Sequence, residues 1–500
     1  MRKSANFHVN LAMFAYVVAM MILCANSSPL YDTMNTDPAV FRVMGRAMAA
    51  GKVMYRDIFD HKGLYLYFIN ALGVLIDGKS LLGLFVIECV FMFLCARVVY
   101  ALMSRFAGGK TPLIGTQIFL VFAMFRGTFA RGGMTENYAL LFQILGVYVL
   151  VKDGGKFSCL HMFIQGVLVG IVLCFQANIA MMWGGIALVA GYELLKRGDL
   201  VRLAGNVIAG ILGVLAGVMP AVVYAVMNDA VSDVAFGMFG YNFMYLNVPE
   251  TGNFAATFGR RMLGAFMPGG EIQVSAPAYA MVVFVAASCA VVVRRWGKSR
   301  LTAYYSAMLA MTFAGVALSG RNFGHYYESL APFCVPAALW LALKVRPGRF
   351  RLAVVAVMVA GVLAGVKIPD WVKELAGRKF MRMDEFVSRN EPYHSENERV
   401  LVTGNRAEFY ERFGVIPQEK YFYVLGSFGD FSAPTEAYIS SILSGVNDVV
   451  VAVYPKDRGE IFPETGRSAE IAGYLEANYD LLHSGTDSTG RYVMYGRKRR

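Results

Sequence analysis

The sequence predicts a polytopic α-helical membrane protein of about eleven transmembrane helices, ending in a small external α/β domain. Three observations predict it. The 500 residues are 57% hydrophobic and 16% charged, against about 25% charged in soluble globular chains, and mean hydropathy is +0.48. Apolar runs of roughly 20 residues, each long enough to cross about 30 Å of hydrocarbon, recur through most of the chain. Basic residues collect in every second connection between those runs. A closed β-barrel would instead show alternating strands of about ten residues.

The spans read as 9–25, 81–103, 111–127, 136–151, 160–176, 179–195, 204–227, 276–293, 301–318, 328–343 and 352–368. The first follows Arg2 and Lys3 and reads as an uncleaved span, because Cys24-Ala25-Asn26-Ser27-Ser28 is a weak signal-peptide cleavage site. With the N-terminus inside, the inner connections carry Arg105 and Lys110; Lys152 and Lys156; Lys196, Arg197 and Arg202; Arg294, Arg295, Lys298 and Arg300; Lys344, Arg346, Arg349 and Arg351. Short basic loops belong on the cytoplasmic side. Much of the net charge of +12 is thereby assigned to topology rather than to nucleic acid. The seven cysteines all lie in or beside apolar spans, with no disulfide framework and no metal-ligand spacing.

The outer face receives residues 26–80, the turn 128–135, the loop 228–275, the turn 319–327 and the tail from about 369. This gives a transmembrane unit 1–368 with a large first external loop 26–80, and an extracytoplasmic unit 369–500. In the tail, Arg399–Thr403 and Asp448–Tyr454 read as buried strands, and Tyr479–His483 and Arg491–Tyr495 as weaker ones. Pro434–Leu443 and Ser468–Ala477 read as helices. Gly63–Asp77 is apolar but too short to cross, so it reads as interfacial or re-entrant.

Charged groups concentrate on the predicted outer face. The first loop holds Asp37 and the stretch YRDIFDHKG, with Asp57, Asp60, His61 and Lys62. The turn RGGMTENY adds Arg131 and Glu136, and SGRNFGHYYE adds Arg321, His325 and Tyr326. Cations near the membrane surface hold a phosphate in partly dehydrated surroundings, where electrostatics are stronger than in water. A carboxylate in the same region serves as a general base. Each motif also has a purely structural reading. Asp37 before Pro38 fits a helix cap, and Glu136 fits a helix-dipole partner. Asp57 and Asp60 beside Arg56 and Lys62 fit a surface ion-pair cluster. His325 fits an interfacial histidine, and Arg131 and Arg321 fit anchors of span ends. The clustering on one face favours a working site.

These segments resemble the GT-C glycosyltransferases of the bacterial membrane, the group containing protein O-mannosyltransferases and aminoarabinose lipid A transferases. The matching pieces are Asn35-Thr36-Asp37-Pro38-Ala39, then Gly51-Lys52-Val53-Met54-Tyr55-Arg56-Asp57 and Asp60-His61-Lys62-Gly63. Gly132-Gly133-Met134-Thr135-Glu136 and Gly320-Arg321-Asn322-Phe323-Gly324-His325-Tyr326 follow. The resemblance implies a polyprenyl-phosphate sugar donor and transfer on the external face to a glycan, lipid or protein, with inversion. It implies Asp37 as catalytic base. Lys62, His61, Arg131, Arg321 and His325 would bind donor phosphate, and Asp57, Asp60, Glu136 and Tyr326 would contact sugar or acceptor. Many relatives carry two prolines after the lysine, where this chain has Gly63 and Leu64. Some relatives bind a divalent metal near an acidic residue just before the lysine, the position of His61 beside Asp60, so metal use stays open. The partners implied are the lipid donor, the acceptor and the bilayer, with no nucleic acid. The location implied is the plasma (inner) membrane, with a cytoplasmic N-terminus and an extracytoplasmic C-terminal domain. The alternatives are a lipid-linked polysaccharide polymerase or ligase, and a transporter or flippase.

Overall fold

A computed structural model describes residues 2–30, 36–156, 158–246, 276–318, 323–365, 399–404, 406–423, 432–455, 459–461, 466–486 and 490–498. Helices occupy each of the eleven predicted stretches. The first ten helices are α1 (Arg2–Cys24), α2 (Thr36–Ala49), α3 (Leu64–Ile76), α4 (Leu82–Met103), α5 (Thr111–Ala123), the single turn α6 (Arg126–Phe129), α7 (Thr135–Lys152), α8 (Cys159–Leu173), α9 (Met182–Lys196) and α10 (Leu200–Met227). Further helices run over Ala276–Trp296, Arg300–Leu318, Val335–Leu343 and Phe350–Gly365. Among the described residues, five helical stretches are long and apolar enough to cross a membrane: Phe7–Cys24, Leu82–Met103, Ala177–Lys196, Leu200–Met227 and Arg300–Leu318.

Several helices start where side chains satisfy the open first turn. Ser158 Oγ accepts from His161 N–H at 3.3 Å at the head of α8, and Asp199 Oδ1 accepts from Arg202 N–H at 3.1 Å at the head of α10. Asn137 Oδ1 reaches back to accept the Met134 amide at 2.7 Å before α7. The predicted span 328–343 is not one α-helix. Gly324–Cys334 is a 3₁₀ stretch containing Pro332, and the α-helix runs only over Val335–Leu343. Proline removes an amide donor and clashes with the carbonyl four residues back, which breaks the α ladder there. The stretch 111–127 also breaks, after Ala123 and before the turn α6. α8 and α10 pack backbone to backbone. A Cβ added at Gly213 would lie 2.1 Å from the Phe163 carbonyl, so only glycine permits that approach.

All seven cysteines are free; five are buried, Cys289 is intermediate and Cys159 is exposed. Within α4, Glu88 is buried and accepts hydrogen bonds from Ser27 Oγ and, at 3.1 Å, from Tyr138 Oη. Such partners offset the cost of a buried carboxylate. Arg97 lies 5.5 Å from the Tyr100 ring centroid.

The C-terminal region forms a four-stranded sheet in the order β1-β2-β4-β3, from β1 (Val400–Val402), β2 (Val449–Pro455), β3 (Tyr479–Thr486) and β4 (Gly490–Arg497). β1 pairs parallel with β2, and β4 pairs antiparallel with both β2 and β3. Val449–Val453 is apolar at every position because both faces of β2 are covered. Val450 and Ala452 pack with the helices Ser432–Leu443 and Ser468–Asn478 through Ile439, Ile442, Ile471 and Leu475. Val449, Val451 and Val453 instead join a core containing Phe41 and Met44 of α2 and Tyr55, Ile58 and Phe59 of the first loop. The buried Arg42 and its neighbour Arg46 bind Glu411 at 2.8 and 3.0 Å and tie α2 to this region. The sheet and the first long loop therefore share one apolar core.

Candidate active site

The loop between α2 and α3 is held in one conformation by its own aromatics. Tyr55 has φ of 66°, a left-handed geometry that costs a non-glycine residue about 1–3 kcal/mol. That turn carries its hydroxyl back to donate to the Lys62 carbonyl at 2.7 Å. The Lys62 amide donates to Tyr67 Oη at 3.1 Å, and Tyr67 Oη donates to Asp60 Oδ2 at 2.8 Å. Asn242 Nδ2 donates to the His61 carbonyl at 2.9 Å. Gly63 N–H donates to the Phe175 carbonyl at 3.0 Å, and a Cβ added at Gly63 would stand 2.1 Å from the Cys174 carbonyl. The loop thus presses against the end of α8, at a point where only glycine fits.

This clamp presents Lys62 and His61 to a cavity of about 210 Å³. Lys62, His61, Gln176, Asn178 and Asn242 supply its polar lining, while Leu173, Met181, Met238, Phe239, Phe243 and Leu318 supply apolar walls. Lys62 Nζ lies 6.0 Å from the Tyr326 ring centroid, and Tyr326 also lines the cavity. The far wall includes a five-residue π-helical turn, Phe236–Gly240, a geometry enriched at functional sites.

Charges gather around Lys62. Its ammonium is within electrostatic reach of the carboxylates of Asp37, Asp60 and Glu136 and of the His325 ring. Asp37, in the first turn of α2, is half-buried. Burial raises its carboxyl above the ordinary range and Asp60 adds to this, while Lys62 and His61 pull the other way. Burial would also raise Asp60, but the hydrogen bond and charge of His61, the Tyr423 hydroxyl and Lys62 outweigh it and hold Asp60 well below the usual range. His61 Nδ1 lies 3.2 Å from Asp60 Oδ1. Burial, with Lys62 adding to it, pushes His325 far below the usual imidazole range, so its ring is neutral near pH 7.

The structure therefore brings together Asp37, Asp60, His61, Lys62, Glu136, His325 and Tyr326, drawn from three predicted outer segments. Asp57 has other partners: it accepts from the Val53 amide at 2.8 Å and pairs with Arg56 at 2.9 Å. Arg131 stands in a turn where Ala130 to Gly133 all have positive φ, and its guanidinium acts on Cys24 at the end of α1. Arg321 lies outside the described residues.

Sequence reading missed Tyr67, Tyr423, Asn242 and Gln176. Glu328 is buried and takes a hydrogen bond from Asn137. Thr135 Oγ1 lies 2.9 Å from Glu136 Oε2 and 2.6 Å from Gln176 Oε1, linking the cavity wall to Glu136. Only the Tyr-rich run Tyr421-Phe422-Tyr423 offered a signal, and it lies 363 residues from Asp60.

Among the described residues, no group of three or more His, Cys, Asp or Glu side chains is arranged to hold a metal ion. Asp60, the acid beside His61, has both oxygens engaged by Tyr67 and Tyr423. The pair does not offer the ligand set of a metal centre.

At the sequence level, no protein-family model and no curated protein matches the chain. Solved structures do match in shape. ArnT from Cupriavidus metallidurans bound to undecaprenyl phosphate superposes with a TM-score of 0.62 at 11% identity, covering 97% of both chains. The same protein in the apo state gives 0.60 at 10% identity, covering 99% of this chain and 98% of the other. The chain shares the overall fold of that ArnT structure. Within this fold the first long loop, the segment between α8 and α9, the stretch 238–243 and Tyr326 converge on one cavity, and that cavity is where Lys62 emerges, with Glu136 and His325 in electrostatic reach of its ammonium.

Proposed function

We propose that the protein is a membrane glycosyltransferase that moves a sugar from a polyprenyl-phosphate donor to a hydroxyl of an envelope glycan, lipid or protein. One observation carries this reading. A single cavity has a cation, Lys62, at its polar end and isoprenoid-compatible walls of Met, Leu and Phe, with the carboxylate of Asp37 coupled to the same cation. A charged head on a long hydrocarbon tail needs that pairing. The ArnT relative in shape was crystallised with undecaprenyl phosphate, which supports a lipid of this class.

Asp37 takes the proton of the acceptor hydroxyl as its oxygen attacks the anomeric carbon of the donor sugar. The bond from that carbon to the phosphate oxygen breaks, and polyprenyl phosphate leaves with the electron pair. Lys62 and His61 stabilise the charge that develops on it. A single displacement inverts the anomeric centre. The raised affinity of Asp37 for a proton suits a general base. Glu136 and His325, both within electrostatic reach of Lys62, complete the charged surroundings of the donor head group. On this reading the chain crosses the plasma membrane about eleven times from a cytoplasmic N-terminus, and the site and the α/β unit 369–500 belong to the external face.

Purified protein incubated with a panel of polyprenyl-phosphate sugars should show transfer or slow hydrolysis of one of them. Asp37→Asn should lower that turnover by about 10²-fold or more, the range of general-base effects, while binding of undecaprenyl phosphate persists. Turnover close to normal in Asp37→Asn would remove the base assignment.

A further inference from the structure

The donor-site loop is completed by a residue from the far end of the chain. The segment after Glu408–Phe413 lies along the loop 52–60. Lys52 Nζ donates to the Pro417 carbonyl at 2.6 Å, and Phe59 N–H donates to the Lys420 carbonyl at 2.8 Å. The Phe59 and Tyr421 rings lie 5.4 Å apart. At the end of this seam, the buried Tyr423 donates its hydroxyl to Asp60 Oδ1 at 2.5 Å. Asp60 Oδ2 is taken by Tyr67. Asp60 is 1% exposed, so its charge depends on those few donors.

We propose that Tyr423 is a positioning residue for the donor site. By fixing Asp60 it sets the ring of His61 and the stem of Lys62, and so makes the C-terminal α/β unit a working part of the phosphate pocket. This rests on the reading that Lys62 and His61 hold the donor phosphate. Deleting the hydroxyl leaves Asp60 Oδ1 with His61 as its remaining close neighbour, 3.2 Å away. The His61–Asp60 pair then re-aims, and Lys62 with it. The ring of Tyr423 packs on Phe422 at 4.9 Å, so phenylalanine preserves its shape.

The test uses the full-length protein in nanodiscs with two probes, undecaprenyl phosphate and undecaprenol. They share a tail and differ in the phosphate. Tyr423→Phe should weaken binding of the phosphate lipid about tenfold, the size of one lost hydrogen bond to a charged group, and leave undecaprenol binding unchanged. Glu436→Gln, which removes an exposed ion pair with Arg467 on the same unit, should change neither. Lys62→Ala should also lose the phosphate preference. If Tyr423→Phe keeps full preference while Lys62→Ala loses it, the role of Tyr423 is refuted and the donor reading stands. If Tyr423→Phe weakens both lipids alike and lowers the melting temperature, its role is structural only and the proposal falls. If Lys62→Ala keeps the preference, the donor reading fails and takes this proposal with it.

Discussion

Asp37 and Asp60 share one loop system and one cation yet sit in opposite electrostatic states. Burial lifts Asp37, while His61, Tyr423 and Lys62 hold Asp60 ionised. On the proposed function, the raised acid, Asp37, is the proton acceptor and the lowered one, Asp60, is a fixed negative anchor. A base works only when deprotonated. The acid side of the rate–pH profile should therefore fall at a pH above about 4, the range of an ordinary aspartate. Turnover measured from pH 3 to 8 checks this; a profile flat down to pH 4 would contradict it. At this scale the sequence identified Asp37, Lys62, His61 and His325 as candidates because they are polar groups in an apolar chain. Tyr67 carries no local mark of the carboxylate it will meet, and the run Tyr421-Phe422-Tyr423 marks an aromatic cluster without naming its partner. Asp57 was equally conspicuous in sequence, but its partners are Arg56 and the Val53 amide.

At the scale of elements, the geometry of Lys62 is inherited from how the loop meets α8. Gly63 permits that contact by having no side chain, and the amide it keeps donates to Phe175. Gly63→Ala should cost about 1–3 kcal/mol through overpacking and weaken undecaprenyl phosphate binding. Thermal unfolding and lipid binding on the purified variant measure both, and an unchanged melting temperature would refute the close packing. Helix positions were legible throughout, because long apolar runs impose helical structure in hydrocarbon. The departures have local causes. Pro332 splits the stretch expected as a span at 328–343, and the chain breaks after Ala123 before the turn α6.

Over the whole molecule, the strands of the tail were legible because β2 is apolar throughout and β4 carries the apolar run Tyr492-Val493-Met494-Tyr495. Their destination was not. One face of that sheet is covered by its own helices and the other joins the core of the first loop. Such a contact spans more than three hundred residues of sequence and has no periodic signature. The fold brings these distant parts to one cavity, and the central claim is that this cavity holds a lipid phosphate. Photo-crosslinking with a diazirine-bearing polyprenyl phosphate, read out by peptide mass spectrometry, tests it most directly. Adducts should concentrate on Met181, Met238, Phe239 and Phe243 and vanish in Lys62→Ala. Adducts spread over the outward faces of α8 and α10, and unaffected by Lys62→Ala, would contradict it.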